Sequence, residues 1–379
     1  MKKIWPFTFY FLLYSAIAFI APFIVLYYQE LGFTGTQIGL LTGIVPLITL
    51  FNAPLWTGFA DATHRHRLLM SLGILGGVIT TVVFPFLNAF APVFIIAVLL
   101  YIFVAPITPL ADSATMFMLA DEKEMYGRVR LGGTVGFGIS AFAAGLFVQY
   151  YGLRFAFWGC AALFFLGLIV SQKLVYGQSE TDSPTIGRAR ALLTNPRWVL
   201  FLVAAFAGGM GMAAYNNYLF PYMMELGASE TTMGLALTVG MFSEIPILFF
   251  GNRLIKFFKS YGLLMLAMGI TGLRMLLFAT IETPVLVLFV QLLNGLTFPA
   301  MWVAGVTYTD ENAPAGMSAT AQGLFGAMVM GFGAAVGGFV GGLLLESIGG
   351  RGLYLVFGLT VIVIVVTVAL IRGRLPAEN

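Results

Sequence analysis

The sequence predicts an all-α membrane protein of twelve helices, built as two similar six-helix halves. Three observations carry this: a composition with no water-facing exterior, twelve apolar windows long enough to span a bilayer, and fragments that recur half a chain apart. Of the 379 residues, 60% are hydrophobic and 9% charged, and the mean hydropathy is +0.96. Soluble domains carry about 25% charged residues, so the natural solvent of this chain is lipid. The 45 glycines suit that solvent, because small residues let helices approach closely where no hydrophobic force drives them together.

A helix needs about 20 apolar residues to cross the hydrocarbon core. Such windows lie at 6–28, 36–60, 68–90, 92–119, 127–150, 153–175, 198–224, 231–252, 261–280, 284–309, 318–345 and 352–371. A β-barrel is excluded, since its strands are about half as long and alternate in polarity. The run from Ile4 to Tyr28 is too long for a signal-peptide core and lacks a small-residue cleavage site, so it is read as a retained first helix. Of the 19 basic residues, Arg154 and Arg351 fall in outer loops and Arg274 in mid-helix, while the others, from Lys2 and Lys3 to Arg372 and Arg374, fall on one side. Positive residues stay inside. Both termini are therefore expected to be cytoplasmic, and the location a cytoplasmic (inner) membrane.

Two fragments recur. Glu30-Leu31-Gly32 with Gly39 reappears as Glu225-Leu226-Gly227 with Gly234, an offset of 195. Gly145-Leu146, Gly152 and Arg154 reappear as Gly342-Leu343, Gly349 and Arg351, an offset of 197. The predicted organisation is an N-terminal bundle over 1–176, an inner-side linker over 177–196 rich in Ser, Thr and acidic residues, and a C-terminal bundle over 197–379. Parallel repeats joined in this way are the plan of a rocking secondary transporter, with its solute site between the halves at mid-membrane.

Several chemistries are excluded by inventory. With one cysteine, Cys160, and two histidines, His64 and His66, the sequence offers no disulfide framework, metal cluster or Ser-His-Asp constellation. No enzyme activity, cofactor or nucleic-acid partner is expected. The informative charges are those placed in lipid, where a lone charge is costly and faces a partner or a water-filled cavity. Asp112 near the end of the fourth helix and Arg130 early in the fifth are close enough to pair. Glu244 and Arg274, on helices eight and nine, form a second candidate pair. Such pairs can merely tie helices together. They can also hold a solute and a proton, since an Arg that moves away during a transport cycle changes the proton affinity of its carboxylate. Tyr215-Asn216-Asn217-Tyr218 falls mid-span in helix seven, and Tyr14, Asn52, Phe137, Gln291, Asn294 and Trp302 are further candidates for a cavity lining.

At these residues the chain resembles a known family. Thr57 to Leu68 reads TGFADATHRHRL, similar to the loop signature between helices two and three of the major facilitator superfamily. Asp61 and Arg65 match it as a gating loop, and Thr57 and His64 replace its usual glycines. Tyr126-Gly127-Arg128-Val129-Arg130, with Asp112 lying 18 residues before Arg130, resembles the lactose permease group. There the acid and the second Arg bind sugar, and Phe137 stands where a Trp stacks on the ring. Gln291, Asn294 and Thr297 replace that group's Lys, His and proton-carrying Glu on helix ten, so its proton route does not carry over. The Tyr-Gly-x-Val-Arg-Leu stretch and Glu244 are similar to the neighbouring group of phenylpropionate transporters and nucleoside–proton symporters.

Residues and resemblance together imply a major facilitator fold acting as a monomer in the bilayer. The expected function is proton-coupled symport of a small polar or aromatic solute, namely a sugar, nucleoside or aromatic acid. Substrate binding is expected at Asp112, Arg130, Phe137, Tyr215, Asn216, Asn217, Asn294 and Trp302, and proton coupling at Asp112, Glu244 and Arg274. Export of drugs or amphipathic lipids, suggested by the Phe- and Met-rich spans, is the alternative; helix five lacks the Gly-Pro motif of the superfamily's drug antiporters.

Overall fold

A computed structural model describes residues 4–120, 122, 125–177, 192–314 and 317–374, and among them the secondary structure is helical. Most of the expected linker, with Arg188 and Arg190, and also Lys2, Lys3 and Lys123, lies outside the described residues. The spans are α1 (Ile4–Glu30), α2 (Gly35–Thr63), α3 (His66–Phe86), α4 (Phe90–Leu119), α5 (Tyr126–Tyr151), α6 (Leu153–Ser171), α7 (Pro196–Glu225), α8 (Glu230–Phe258), α9 (Ser260–Thr280) and α10 (Pro284–Asn312). The last helical run, Thr320–Arg374, is 55 residues long and breaks at Gly349, whose φ of 70° and ψ of 179° no helix contains. It is therefore two spans, α11 (318–348) and α12 (350–374), which makes the twelve expected crossings and a multi-pass membrane protein.

Local sequence sets these boundaries. Thr34 and Gln37 form a reciprocal capping box at the start of α2, the Thr34 hydroxyl accepting from the Gln37 amide at 3.3 Å and the Gln37 side chain from the Thr34 amide at 3.0 Å. Asn195 caps α7, with Pro196 at a position where its missing N–H costs nothing. At the other end of α2, His64 adopts φ 55° and ψ 27°, the left-handed region natural to glycine. This is one of the positions where the family signature has glycine. Strain in that region costs a β-carbon-bearing residue about 1 kcal/mol or more. His64→Gly is expected to raise the thermal unfolding midpoint in detergent by about 2 °C. A lower midpoint would mean that His64 makes a contact that offsets its strain.

Contacts divide the chain into two compact units. One holds α1–α6 together with Ala228–Thr238 at the start of α8; the other holds α7 and the chain from Val239 onward. In the first unit α1 packs on α5 through glycines: a β-carbon on Gly136 would meet the backbone oxygen of Phe11, and one on Gly132 that of Phe7. In the second, α7 packs on α11, where Gly333 lies against the backbone oxygen of Phe206 and Gly337 against that of Met210. Gly136 and Gly333 are 197 residues apart, and Phe11 and Phe206 are 195 apart. The two offsets thus return in space, as one helix–helix contact made twice. The turns agree as well: Gly32 and Gly227 have φ 75° and 79°, and Gly152 and Gly349 have φ 89° and 70°.

Candidate functional site

Among the described residues, each unit brings charged and polar side chains of its sequence-predicted site together inside its helices. In the first, the glycine face of α5 brings Arg130 against α1. Arg130 Nη1 donates to Asp112 Oδ1 of α4 at 2.5 Å and to the Tyr126 hydroxyl at 3.2 Å, and Nη2 donates to the Tyr14 hydroxyl at 3.0 Å. Tyr10 donates to the same Asp112 oxygen at 2.5 Å and accepts from Thr115 at 3.3 Å. The guanidinium also lies over the Tyr10 and Tyr14 rings, 5.5 and 5.8 Å from their centroids. The bonds made by Arg130 and Asp112 are charge-assisted. The ion pair is half open: its side chains keep 35% and 32% of their surface exposed. Phe137, also half-buried, lies two turns along α5 on the Arg130 side.

In the second cluster Arg274 is only 4% exposed, and its direct hydrogen-bond partners are neutral. Nη1 donates to Asn294 Oδ1 at 2.8 Å and to the Thr297 hydroxyl at 3.3 Å, Nη2 donates to Gln291 Oε1, and the guanidinium lies over Tyr215 at 4.2 Å. The expected direct pair with Glu244 is not what forms. Asn294 stands between the two, accepting from Arg274 and donating through Nδ2 to Glu244 Oε1 at 2.7 Å. The physical reason is a local change of helix type. Gln291–Leu296 is a 3₁₀ helix, closed by Thr297 at φ −95°, ψ −102° and followed by Pro299. At about three residues per turn, Gln291, Asn294 and Thr297 eclipse on one face, so all three oxygens meet Arg274.

Tyr215 is half-buried and accepts from Gln291 Nε2 at 3.2 Å. Asn216 is exposed and Asn217 half-buried, and neither is a partner of Arg274 or Glu244. Trp302 packs on Phe298 and Phe325 at the edge of the second unit's apolar core. Across the turn between α2 and α3, Asp61 in the last turn of α2 pairs with Nε2 of His66, the first residue of α3, at 2.7 Å while Arg65 is exposed; His66 in turn stacks on Tyr176, with 5.6 Å between centroids. Burial pushes the Tyr176 hydroxyl above its ordinary pKa. The site residue that sequence reasoning missed is Tyr10. The signal was available, because Tyr10 and Tyr14 are four apart and share a helix face.

The chain is similar to known proteins over nearly its whole length. The family described as MFS_1 like family matches residues 5–356. The transporter YwbF of Bacillus subtilis (strain 168) is 28% identical over 360 residues, covering 93% of this chain and 88% of its own. The maltose permease of Geobacillus stearothermophilus is 28% identical over 375 residues, or 98% of this chain and 95% of its own. The crystal structure of the nucleoside transporter NupG matches with a TM-score of 0.87 at 17% identity, over 98% of this chain and 99% of that one.

Proposed function

Because the chain belongs to the MFS_1 like family, and so is a membrane transporter rather than an enzyme, we propose that it is a proton-coupled symporter of a polyhydroxylated solute, a sugar or nucleoside. The observation that carries this reading is the half-open Asp112–Arg130 pair with Tyr10, Tyr14 and Tyr126 around it. Neighbouring hydroxyls on a ring can accept from Arg130 and donate to Asp112, exchanging one set of charge-assisted hydrogen bonds for another at little net cost. The tyrosine rings and Phe137 offer faces for the apolar side of that ring. Similarity to a maltose permease and to the fold of a nucleoside transporter supports the same class. In this reading Glu244 carries the proton, both termini are cytoplasmic, as the basic loops of the sequence imply, and the protein works as a monomer.

The test is uptake into proteoliposomes under an inward proton gradient, with maltose and uridine as probes. Accumulation against the solute gradient is expected in the wild type. Glu244→Gln should still exchange solute across the membrane but no longer accumulate it, and Asp112→Asn should do neither. Uptake indifferent to the proton gradient would remove the coupling. An absence of transport for hydroxylated solutes, alongside uptake of an aromatic acid, would remove the substrate class.

A further inference from the structure

We infer that the 3₁₀ segment Gln291–Leu296 is a switch between two helical forms, and that Asn294 is the positioning residue that links it to the charge on Glu244. The inference rests on the reading of Glu244 as the proton carrier. A six-residue 3₁₀ stretch in mid-span is longer than such helices usually run. Side chains from α8 and α10 support it. The Gly295 amide donates to Ser243 Oγ at 3.1 Å, and Ser243 Oγ in turn donates to the carbonyls of Gly240 at 2.6 Å and Gln291 at 3.3 Å. Gly295 lets α10 lie directly against the α8 backbone, since a β-carbon there would meet the Ser243 backbone oxygen.

The alternative form is an ordinary α-helix. Going from about 3.0 to 3.6 residues per turn between Gln291 and Thr297 would turn Asn294 by about 60° and Thr297 by about 120° relative to Gln291, and shorten the segment by about 3 Å. Arg274 would then lose two of its neutral acceptors. A buried guanidinium without acceptors is strongly disfavoured, and the carboxylate at hand is Glu244, one amide away. The α form therefore favours an ionised Glu244. The 3₁₀ form supplies Arg274 with neutral oxygens, so Glu244 can hold a proton without stranding the guanidinium. The groups around Glu244 are Arg274 from α9, Asn294 and Gln291 from α10, and Tyr215 from α7 beyond them. Proton occupancy and helix form are linked through Asn294.

Spin labels at Val285→Cys and Asp310→Cys, with Cys160→Ala, bracket the segment and read its length in detergent or nanodiscs. Raising the pH is expected to shorten the label distance by about 3 Å, the difference in rise over six residues. Glu244→Gln should hold the longer distance at every pH. Asn294→Ala, lacking the bridge between Arg274 and Glu244, should flatten the pH response of the label distance. A distance independent of pH in the wild-type sequence, or a pH response that survives Glu244→Gln, would overturn the switch. Transport is a separate readout. A label response without gradient-driven uptake would remove the symport reading and keep the switch, and gradient-driven uptake at a fixed label distance would do the reverse.

Discussion

Arg130→Ala is expected to lower solute uptake by about 10- to 100-fold at a fixed solute concentration, without loss of folded protein. Hydrogen bonds to a charged group contribute about 1.5–3 kcal/mol each when one partner is removed, which is one to two decades in an equilibrium. Arg130 makes three such bonds, to Asp112, Tyr126 and Tyr14. Because the pair is half open, water can replace part of what is lost, which limits the penalty on folding. Arg130→Lys is expected to rescue little. An ammonium is a point charge, whereas the fork of Arg130 spans Asp112 on one arm and Tyr14 on the other. Thermal stability with and without solute separates the two roles: a binding defect removes the shift given by the solute and leaves the unliganded midpoint in place. An unliganded midpoint that falls in step with uptake would make Arg130 a helix tie instead.

The largest effect on folding is expected from Gly136→Val. The added side chain would meet the backbone oxygen of Phe11, which cannot rotate away as a side chain would. Overpacking of this kind costs about 1–3 kcal/mol, and an unyielding neighbour puts it at the upper end. The expected result is a midpoint several degrees lower and a reduced yield of monodisperse protein. Gly127→Ala on the same helix is the control, because its added carbon would have open space. It should be neutral or slightly stabilising, as alanine favours helix by about 1 kcal/mol over glycine. Equal losses in both variants would show that the helix itself, and not the α1–α5 contact, is what glycine serves.

Much of this protein is legible in its sequence because lipid imposes simple rules. Twelve windows follow from length and polarity alone, and structure altered their count only in form, by joining α11 and α12 into one helical run across Gly349. The Asp112–Arg130 pair is legible because two opposite charges in lipid need each other and their spans adjoin. The Arg274 site is less so. Reading α10 as a uniform α-helix spreads Gln291, Asn294 and Thr297 over about 120° of its circumference, and nothing then converges on the guanidinium. Their spacing by threes carries the answer, but only once the segment is known to be 3₁₀. Trp302 shows the opposite limit. A large ring in mid-span suits a cavity or a core equally well, and contacts with Phe298 and Phe325 distinguish them.

The neutral cage around Arg274 has an electrical consequence. Asp112 and Arg130 cancel each other, so the first cluster adds no net charge to the membrane interior. The second holds the Arg274 cation among neutral oxygens, with the Glu244 carboxyl one amide away. In the proposed proton symport, protonation of Glu244 gives that interior one positive charge, and the proposed sugar or nucleoside brings none. Moving one elementary charge through 100 mV corresponds to about 2.3 kcal/mol, or about fifty-fold in an equilibrium. In that proposed cycle the voltage across the membrane acts on the loaded carrier as a second source of work beside the proton concentration difference, and a resting potential of negative interior is expected to drive uptake even at equal pH on the two sides.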